Sequence, residues 1–273
     1  MKLMRIVISI VFVLLTVASL YVFISEKSKV DKTLPQITVE GDIIEVSLKA
    51  TDEELLKGIT AFDEKDGDLT DSVIVESISR FTKEKGECKV VYSVCDSNNN
   101  VAKATRKIKY IGYESPKFKI KGNLCFSLYE RIDLRPFVFA DDCLEGNITD
   151  RIVITSENYS TSVEGFYYVD ASVTNKKGDT STIQLPLIVE DRPISAPEII
   201  LSEYLVYSKK GQAINFESYL VDALDYKETS LKNNVTIDTD FNPQASGTYH
   251  VHYYVTDNQG NRGHSVLTVI VGE

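Results

Sequence analysis

The chain opens with one unbroken apolar run and then changes to short segments in which apolar and polar residues alternate. Residues 6–24 contain no charged residue, proline or glycine. A helix rises about 1.5 Å per residue, so a run of this length matches the hydrocarbon thickness of a bilayer. The pattern predicts a transmembrane signal-anchor helix at residues 6–24, between a cytoplasmic stub at residues 1–5 and a juxtamembrane linker at residues 25–33.

A cleaved signal peptide is the alternative interpretation of this run. Its apolar core is usually about 7–15 residues long and ends at a small-residue cleavage site. Val17-Ala18-Ser19 fits such a site, but the apolar run continues to Ile24, which favours an uncleaved anchor. With no soluble domain before the run, we expect a single-pass protein of the cell membrane, with a cytoplasmic N-terminus and extracellular C-terminal domains.

Beyond residue 30, three stretches repeat one alternating pattern. Each stretch starts at a glycine, and the three glycines lie roughly 80 residues apart, at Gly86, Gly165 and Gly247. Apolar residues at every second position give a strand one buried face. The matched apolar positions are Val90, Val169 and Val251, then Val94, Val173 and Val255. A polar turn and a second strand follow in every case, which predicts a closing β-hairpin in each repeat.

The three repeats also begin alike, with a proline before a short apolar-rich strand, at Pro35, Pro116 and Pro197. A unit of about 80 residues with short strands and frequent turns is typical of an Ig-like β-sandwich. The predicted fold class is all-β, with three tandem Ig-like β-sandwiches behind the N-terminal transmembrane helix. The predicted domains are the first repeat (residues 34–111), the second repeat (residues 115–190) and the third repeat (residues 196–272).

Two motifs give the repeats a likeness to a known family. The first repeat contains Asp66-Gly67-Asp68-Leu69-Thr70, and the third contains Gly247-Thr248-Tyr249 with Asp257 and Gly260-Asn261 further on. These segments resemble the Ig-like domain of bacterial surface proteins, which also occurs in insecticidal crystal toxins, and they are similar to hyalin-type repeats. The resemblance covers roughly residues 34–271 and implies three tandem sandwich domains at a bacterial surface.

The second and third repeats depart from the family pattern. In the second repeat, Asn175 replaces the final Asp of the strand motif. In the third repeat, Leu231 to Val235 stand where the acidic loop should end. A function attached to the acidic loop is therefore not expected in the third repeat.

Composition and motifs restrict the function. A formal net charge of −10 argues against binding to nucleic acid, which favours basic surfaces. The sequence holds no nucleophile elbow, phosphate-binding loop, zinc-protease motif or dinucleotide turn, so we expect no enzyme. We expect a non-catalytic, membrane-anchored bacterial surface protein that uses tandem Ig-like domains for binding or adhesion. The alternative is a structural spacer or stalk that holds a partner complex away from the membrane.

The partners follow from this interpretation. We expect contact with the membrane through residues 6–24 and with an unidentified protein or a cell-wall or glycan ligand, but not with nucleic acid. No cofactor is expected, apart from calcium as an alternative. Calcium takes six to eight oxygen ligands, and the acidic loop supplies carboxylates at Asp63, Asp66 and Asp68, with Asp71 and Asp96 expected near them. Asp and Gly are also the ordinary residues of tight turns, and that interpretation is favoured.

The histidines and cysteines give weaker signals. His250 and His252 point to one face of a strand, and His264 lies past the hairpin turn, so an exposed patch that binds a metal is one hypothesis. An ordinary exposed polar sheet face is favoured, because no nearby carboxylate is evident to orient the rings. Cys125 and Cys143 both belong to the second repeat. A disulfide between them is one hypothesis, and two small apolar residues are the alternative.

Overall fold

The computed structural model describes residues 2–28 and 32–272. The N-terminal part forms helix α1 (Lys2–Ser28), and the side chains described within it, from Val7 to Phe23, are exposed. Among the residues described, no helix combines the length and the apolar character needed to cross a membrane. The predicted transmembrane segment at residues 6–24 is therefore not supported by the structure.

The first repeat contains two sheets and one short helix. Its elements are β1 (Gln36–Val39), β2 (Ile43–Val46), α2 (Asp52–Leu56), β3 (Ile59–Asp63), β4 (Gly67–Asp68), β5 (Ile74–Phe81), β6 (Glu87–Cys95) and β7 (Val101–Tyr110). One sheet has the order β1-β3-β4, and the other has the order β2-β7-β6-β5. Strands β6 and β7 form the predicted antiparallel hairpin, while β2 runs parallel to β7.

The second and third repeats are built in the same way. The second contains β8 (Lys117–Ile120), β9 (Cys125–Ser127), β10 (Val138–Asp142), β11 (Gly146–Asn147), β12 (Val153–Glu157), β13 (Gly165–Thr174) and β14 (Thr180–Glu190). The third contains β15 (Glu198–Leu201), β16 (Leu205–Ser208), β17 (Leu220–Leu224), β18 (Thr236–Thr239), β19 (Gly247–Thr256) and β20 (Arg262–Val271). The hairpins β13–β14 and β19–β20 confirm the prediction made from the alternating pattern.

The alternation of apolar residues decides which side of each hairpin is buried. Val90, Val169 and Val251 are each 0% exposed, and each belongs to a separate hydrophobic core. Burying a side chain of this size stabilises the fold by about 1.5–3 kcal/mol. The chain is thus an all-β protein with three two-layered sheet packings, each centred on its closing hairpin.

The chain forms two compact units, one ending at Ile111 and one beginning at Gly112. The second and third repeats therefore pack together, whereas the sequence predicts a string of three domains. Hydrogen bonds join them: among these, the backbone N–H of Phe118 donates to Tyr207 Oη at 3.0 Å, and Asn123 Nδ2 donates to the carbonyl of His264 at 2.6 Å. Tyr204 contacts the cores of both repeats.

Candidate functional site

A groove of about 900 Å³ lies where the second and third repeats meet. Strands β13 and β14 line one side, and strands β18, β19 and β20 line the other. Its aromatic and histidine side chains are Phe166, Tyr168, Tyr254, His250, His252 and His264. Its charged side chains are Glu164, Glu190, Asp191, Asp238, Asp240, Arg192 and Arg262. This concave surface combines ring faces with charged groups.

The strand register brings the histidines together. In the β19–β20 hairpin, His264 pairs with Tyr254, so it lies on the same face as His252, two residues away. His252 Nδ1 and His264 Nε2 are 2.9 Å apart. On its other side, His264 Nδ1 lies 2.6 Å from Glu190 Oε1, which is a carboxylate acceptor at the end of β14. The three side chains form a continuous chain of hydrogen bonds across the two repeats.

The expectation of an exposed histidine patch is wrong for this cluster. His264 is only 4% exposed, and His250 and His252 are half-buried. The physical reason is that the second repeat covers this sheet face with β14 and with the aromatic rings of β13. The structure also supplies Glu190, the orienting carboxylate that is not evident from the sequence. The metal hypothesis for the three histidines stays a prediction.

The electrostatics of the groove follow from burial and from these contacts. Burial and then the neighbouring His252 lower the pKa of His250 to about 4, against a smaller opposing effect of Asp240. Burial, followed by the charge of His264, also lowers the pKa of His252. Burial raises the pKa of Glu190, but the hydrogen bond with His264 and nearby cations outweigh it, so the net pKa is lowered. At neutral pH the groove therefore holds an ionised Glu190 beside neutral His250 and His252.

Exposed aromatic rings form the floor on the second-repeat side. Phe166 and Tyr168 lie on the same face of β13 and are 38% and 41% exposed. Their rings meet edge to face at 5.0 Å, and His250 packs against Phe166 at 5.4 Å. On the opposite side, Tyr254 stacks on His264 at 4.3 Å, and the guanidinium of Arg262 lies 4.4 Å from the Tyr254 ring centre. The rings hold each other in place, which makes the groove pre-formed.

The acidic loop of the first repeat is built mainly as a set of turns. Asp66 accepts hydrogen bonds from the backbone N–H and the hydroxyl of Ser97, both at 2.8 Å. Asp68 Oδ1 accepts from the backbone N–H of Thr70 at 2.9 Å, and this hydrogen bonding lowers the pKa of Asp68. Asp63 and Asp96 are buried, at 2% and 6% exposure. Among the predicted calcium residues, Asp66 and Asp68 thus accept hydrogen bonds from Ser97 and Thr70, and Asp63 and Asp96 are buried.

The part of the chain that the structure describes contains no group of three or more His, Cys, Asp or Glu side chains arranged to hold a metal ion. Cys88 is buried, and Cys125 and Cys143 do not form a disulfide with each other. Cys143 Sγ instead lies 3.1 Å from the carbonyl oxygen of Glu114, and burial raises the pKa of the Cys143 thiol.

Phe166, Tyr168 and Glu190 were not predicted from the sequence as members of the site. A signal for two of them is present in β13, where Phe166 and Tyr168 occupy the positions between the buried ones. Large apolar side chains at the solvent-facing positions of an alternating strand indicate a covered or binding face. Glu190 gives no comparable signal, because it lies 74 residues before its partner His264.

A family model of bacterial surface proteins matches two segments of this chain. The family model described as "Bacterial surface protein, Ig-like domain" matches residues 37–109 and 207–271, which together make up about half of the chain. The matches correspond to the first and third repeats. The second repeat shares their architecture without matching that model, so a tandem array of three family copies is not confirmed.

Two curated relatives are longer proteins. An uncharacterized 81.3 kDa protein of Acholeplasma phage L2 is 32% identical over 145 residues, 52% of this chain and 19% of that protein. Pesticidal crystal protein Cry22Aa of Bacillus thuringiensis is 28% identical over 222 residues, 78% of this chain and 30% of that protein. The chain thus spans less than a third of the length of either relative.

Solved structures with a similar arrangement are distant. One holds the M60 catalytic domain with the CBM51-1 and CBM51-2 domains of Clostridium perfringens ZmpB, at 14% identity and a TM-score of 0.24, covering 89% of this chain and 31% of that one. Another is the protocadherin GammaB4 extracellular domain, at 13% identity and a TM-score of 0.22, covering 87% and 50%. At these TM-scores the likeness carries no inference about a ligand.

Proposed function

The chain belongs to the bacterial surface protein family with Ig-like domains, and we propose that it is a non-catalytic protein that binds a surface glycan in the groove between its second and third repeats. The groove is the observation that carries this proposal. It combines exposed ring faces at Phe166 and Tyr168 with the exposed carboxylates Asp238 and Asp240 on the opposite wall.

The chemistry of a sugar ring matches these walls. A pyranose presents an apolar C–H face, which packs on an aromatic ring, and hydroxyl edges, which donate hydrogen bonds to carboxylates. A volume of about 900 Å³ accommodates a short oligosaccharide, since ligand pockets usually measure about 300–1,000 Å³. The groove holds more carboxylates than guanidinium groups, which favours neutral or amino sugars over acidic ones.

The packing of the two repeats supports binding over catalysis. Glu190 and His264 are fixed to each other by a 2.6 Å contact, and His252 is the other partner of His264. These groups orient one another and hold the two walls at one separation. A pre-formed groove of this kind lowers the ordering cost of binding a ligand.

Binding to purified glycans and cell walls tests the proposal. The full chain is titrated with a panel of neutral, amino and acidic oligosaccharides and with cell-wall preparations, and bound protein is measured by co-sedimentation. We expect saturable binding that falls at least tenfold in the double variant Phe166→Ala, Tyr168→Ala. Tyr226→Ala is the matched control, because Tyr226 is 50% exposed in the third repeat and does not line the groove.

Binding that survives the double variant unchanged contradicts the assignment of the groove. Absence of saturable binding to every glycan and cell wall favours the alternative function, a stalk that holds a partner away from the membrane. The packing of the second repeat against the third is the feature that favours a stalk. Circular dichroism of each variant confirms that a loss of binding is not a loss of fold.

An extracellular location is part of the proposal, and the family membership supports it. Protease treatment of intact cells measures it, with loss of the chain as the expected result. Attachment of the chain through residues 6–24 stays a prediction, and fractionation of cells that express the chain with and without residues 1–28 tests it separately.

A further inference from the structure

The acidic loop of the first repeat contains a buried carboxylate oxygen that accepts no hydrogen bond. Asp63 ends strand β3 and is 2% exposed. Its Oδ1 accepts from the backbone N–H groups of Lys65 and Asp66, at 2.9 and 3.1 Å, which closes the turn. Its Oδ2 is fully buried and has no hydrogen-bond partner. A carboxylate oxygen in this state costs several kcal/mol unless it meets a donor or a cation.

The second repeat builds the same turn and satisfies the same oxygen. Asp142 ends strand β10, as Asp63 ends β3, and its Oδ1 accepts from the backbone N–H groups of Leu144 and Glu145. Its Oδ2 accepts a hydrogen bond of 2.9 Å from Asn175 Nδ2. Asn175 is the first residue after β13. In this repeat, an amide donor and a carboxylate acceptor form a complete buried pair.

In the first repeat the residue that corresponds to Asn175 is Asp96. Asp96 is the first residue after β6, and its Oδ1 accepts from the backbone N–H of Asn100 at 2.7 Å, as Asn175 Oδ1 accepts from that of Asp179. The two loops are also joined alike, through Asp66 and Ser97 in the first repeat. A carboxylate has no N–H to donate, so this position offers Asp63 a second anion where the second repeat offers a donor.

The corresponding bond between loops in the second repeat runs from the backbone N–H of Lys176 to Glu145 Oε1, which confirms that the two turns meet in the same way.

The third repeat also carries Asp at both positions, Asp225 and Asp257. There, Asp225 is only half-buried, so water solvates its carboxylate. In the first repeat, by contrast, the Asp at each of these two positions is buried, at 2% and 6% exposure.

We propose that a calcium ion binds between Asp63 Oδ2 and Asp96 Oδ2 in the first repeat. Calcium prefers carboxylate, amide and carbonyl oxygens and accepts irregular geometry, whereas magnesium demands a near-ideal octahedron. The amide of Asn100, whose Nδ2 lies 2.7 Å from Asp96 Oδ2, supplies a third oxygen when it rotates by half a turn. Backbone carbonyls and water complete the shell.

This ligand set is smaller than that of a high-affinity site. Two carboxylates carry the charge, and the described residues contain no group of three or more His, Cys, Asp or Glu side chains that could hold a metal ion. Sites of extracellular modules bind calcium with dissociation constants of about 10⁻⁴–10⁻³ M. We place the affinity of this site in that range. The inference is independent of the proposed glycan groove, which lies in the other compact unit.

The test uses the full chain and the variant Asp96→Asn. This substitution recreates the amide–carboxylate pair of the second repeat and removes one calcium ligand. Equilibrium dialysis with radioactive calcium is expected to find one saturable site in the natural chain and at least tenfold weaker binding in Asp96→Asn. Thermal unfolding is expected to show that calcium raises the Tm of the natural chain, while Asp96→Asn is stable in chelator and does not respond.

The matched control is Asp257→Asn, which changes the corresponding position of the third repeat. We expect it to keep the calcium site of the first repeat intact. An equal Tm shift with magnesium, or with sodium chloride at the same ionic strength, overturns the proposal. So does a natural chain in which equilibrium dialysis finds no saturable calcium site.

Discussion

His264 Nδ1 lies 2.6 Å from Glu190 Oε1 and joins the last strand of the third repeat to the last strand of the second. His264 is 4% exposed, and the Glu190 side chain is 31% exposed. The contact is therefore a polar bond between a buried and a partly buried group, and losing Glu190 leaves the buried imidazole without its acceptor. It fixes the relative position of the two walls of the groove.

A double-mutant cycle of His264→Ala and Glu190→Gln measures this coupling. We expect each single variant to lower the stability of the second unit and the pair to show a coupling free energy of about 1–2 kcal/mol, as contacting polar groups commonly do. Urea unfolding followed by near-ultraviolet circular dichroism provides the free energies.

The matched control is the pair Lys103–Glu76 in the first repeat, whose side chains are 55% and 37% exposed. Exposed pairs contribute little, so we expect a coupling below about 0.5 kcal/mol there. A His264–Glu190 coupling as small as that of the control would contradict the role given to the junction.

Acid is expected to destabilise the second unit through His250. Burial and the adjacent His252 lower its pKa from 6.5 to about 4, while the unfolded chain keeps the ordinary value. A lowered histidine pKa means that the unfolded state binds the proton first, so stability present above pH 6.5 is lost as the pH falls towards 4. His250→Gln removes this contribution.

Differential scanning calorimetry from pH 7.5 to pH 4 measures the effect. We expect the Tm of the natural chain to fall more steeply with acid than that of His250→Gln. The groups around the imidazole are Phe166, Tyr168, His252 and Asp240. The idea fails if both proteins lose stability along parallel curves.

Local pattern was enough to predict most of the fold. The alternation around Val90, Val169 and Val251 predicted three closing hairpins, and each of those valines lies in a core. This succeeds because a period of two is a property of one strand and needs no knowledge of its neighbours.

The groove could not be predicted in this way, because it depends on how two repeats pack. Glu190 and His264 are 74 residues apart, and nothing in either strand indicates that they meet. The alternation suggested exposed histidines because it describes a single sheet face and not what covers it. Phe166 and Tyr168 were the overlooked signal, as large rings on the supposedly exposed face.

Gly263 is expected to tolerate no side chain. A Cβ at this position would lie 2.3 Å from the carbonyl oxygen of Pro197, which is backbone and cannot move aside cheaply. We expect Gly263→Ala to destabilise the third repeat by about 2–4 kcal/mol, in the range of overpacked or strained sites. Urea unfolding measures the change.

Gly272→Ala serves as the control for this glycine. Its added Cβ would meet the Ser208 carbonyl oxygen at 3.9 Å, an ordinary van der Waals contact. The free energy of unfolding should change there by less than about 0.5 kcal/mol. Equal effects at both positions would show that the close approach to Pro197 is not what limits Gly263.

Arg106 is the buried cation around which the first repeat is expected to be most sensitive. It is 3% exposed, and its guanidinium donates to the carbonyls of Leu55 and Lys57, at 2.6 and 2.8 Å, and to Tyr92 Oη at 3.1 Å. A planar fork is needed to reach these acceptors together, and a lysine ammonium cannot do so. We expect Arg106→Lys and Arg106→Met each to cost about 3 kcal/mol or more, because buried carbonyls lose their donors. Urea unfolding of the first unit measures this cost against Arg80→Met, an exposed arginine of the same unit, whose loss should cost less than about 0.5 kcal/mol. An Arg106→Lys chain as stable as the natural one would mean that charge alone, and not the planar guanidinium, satisfies these acceptors.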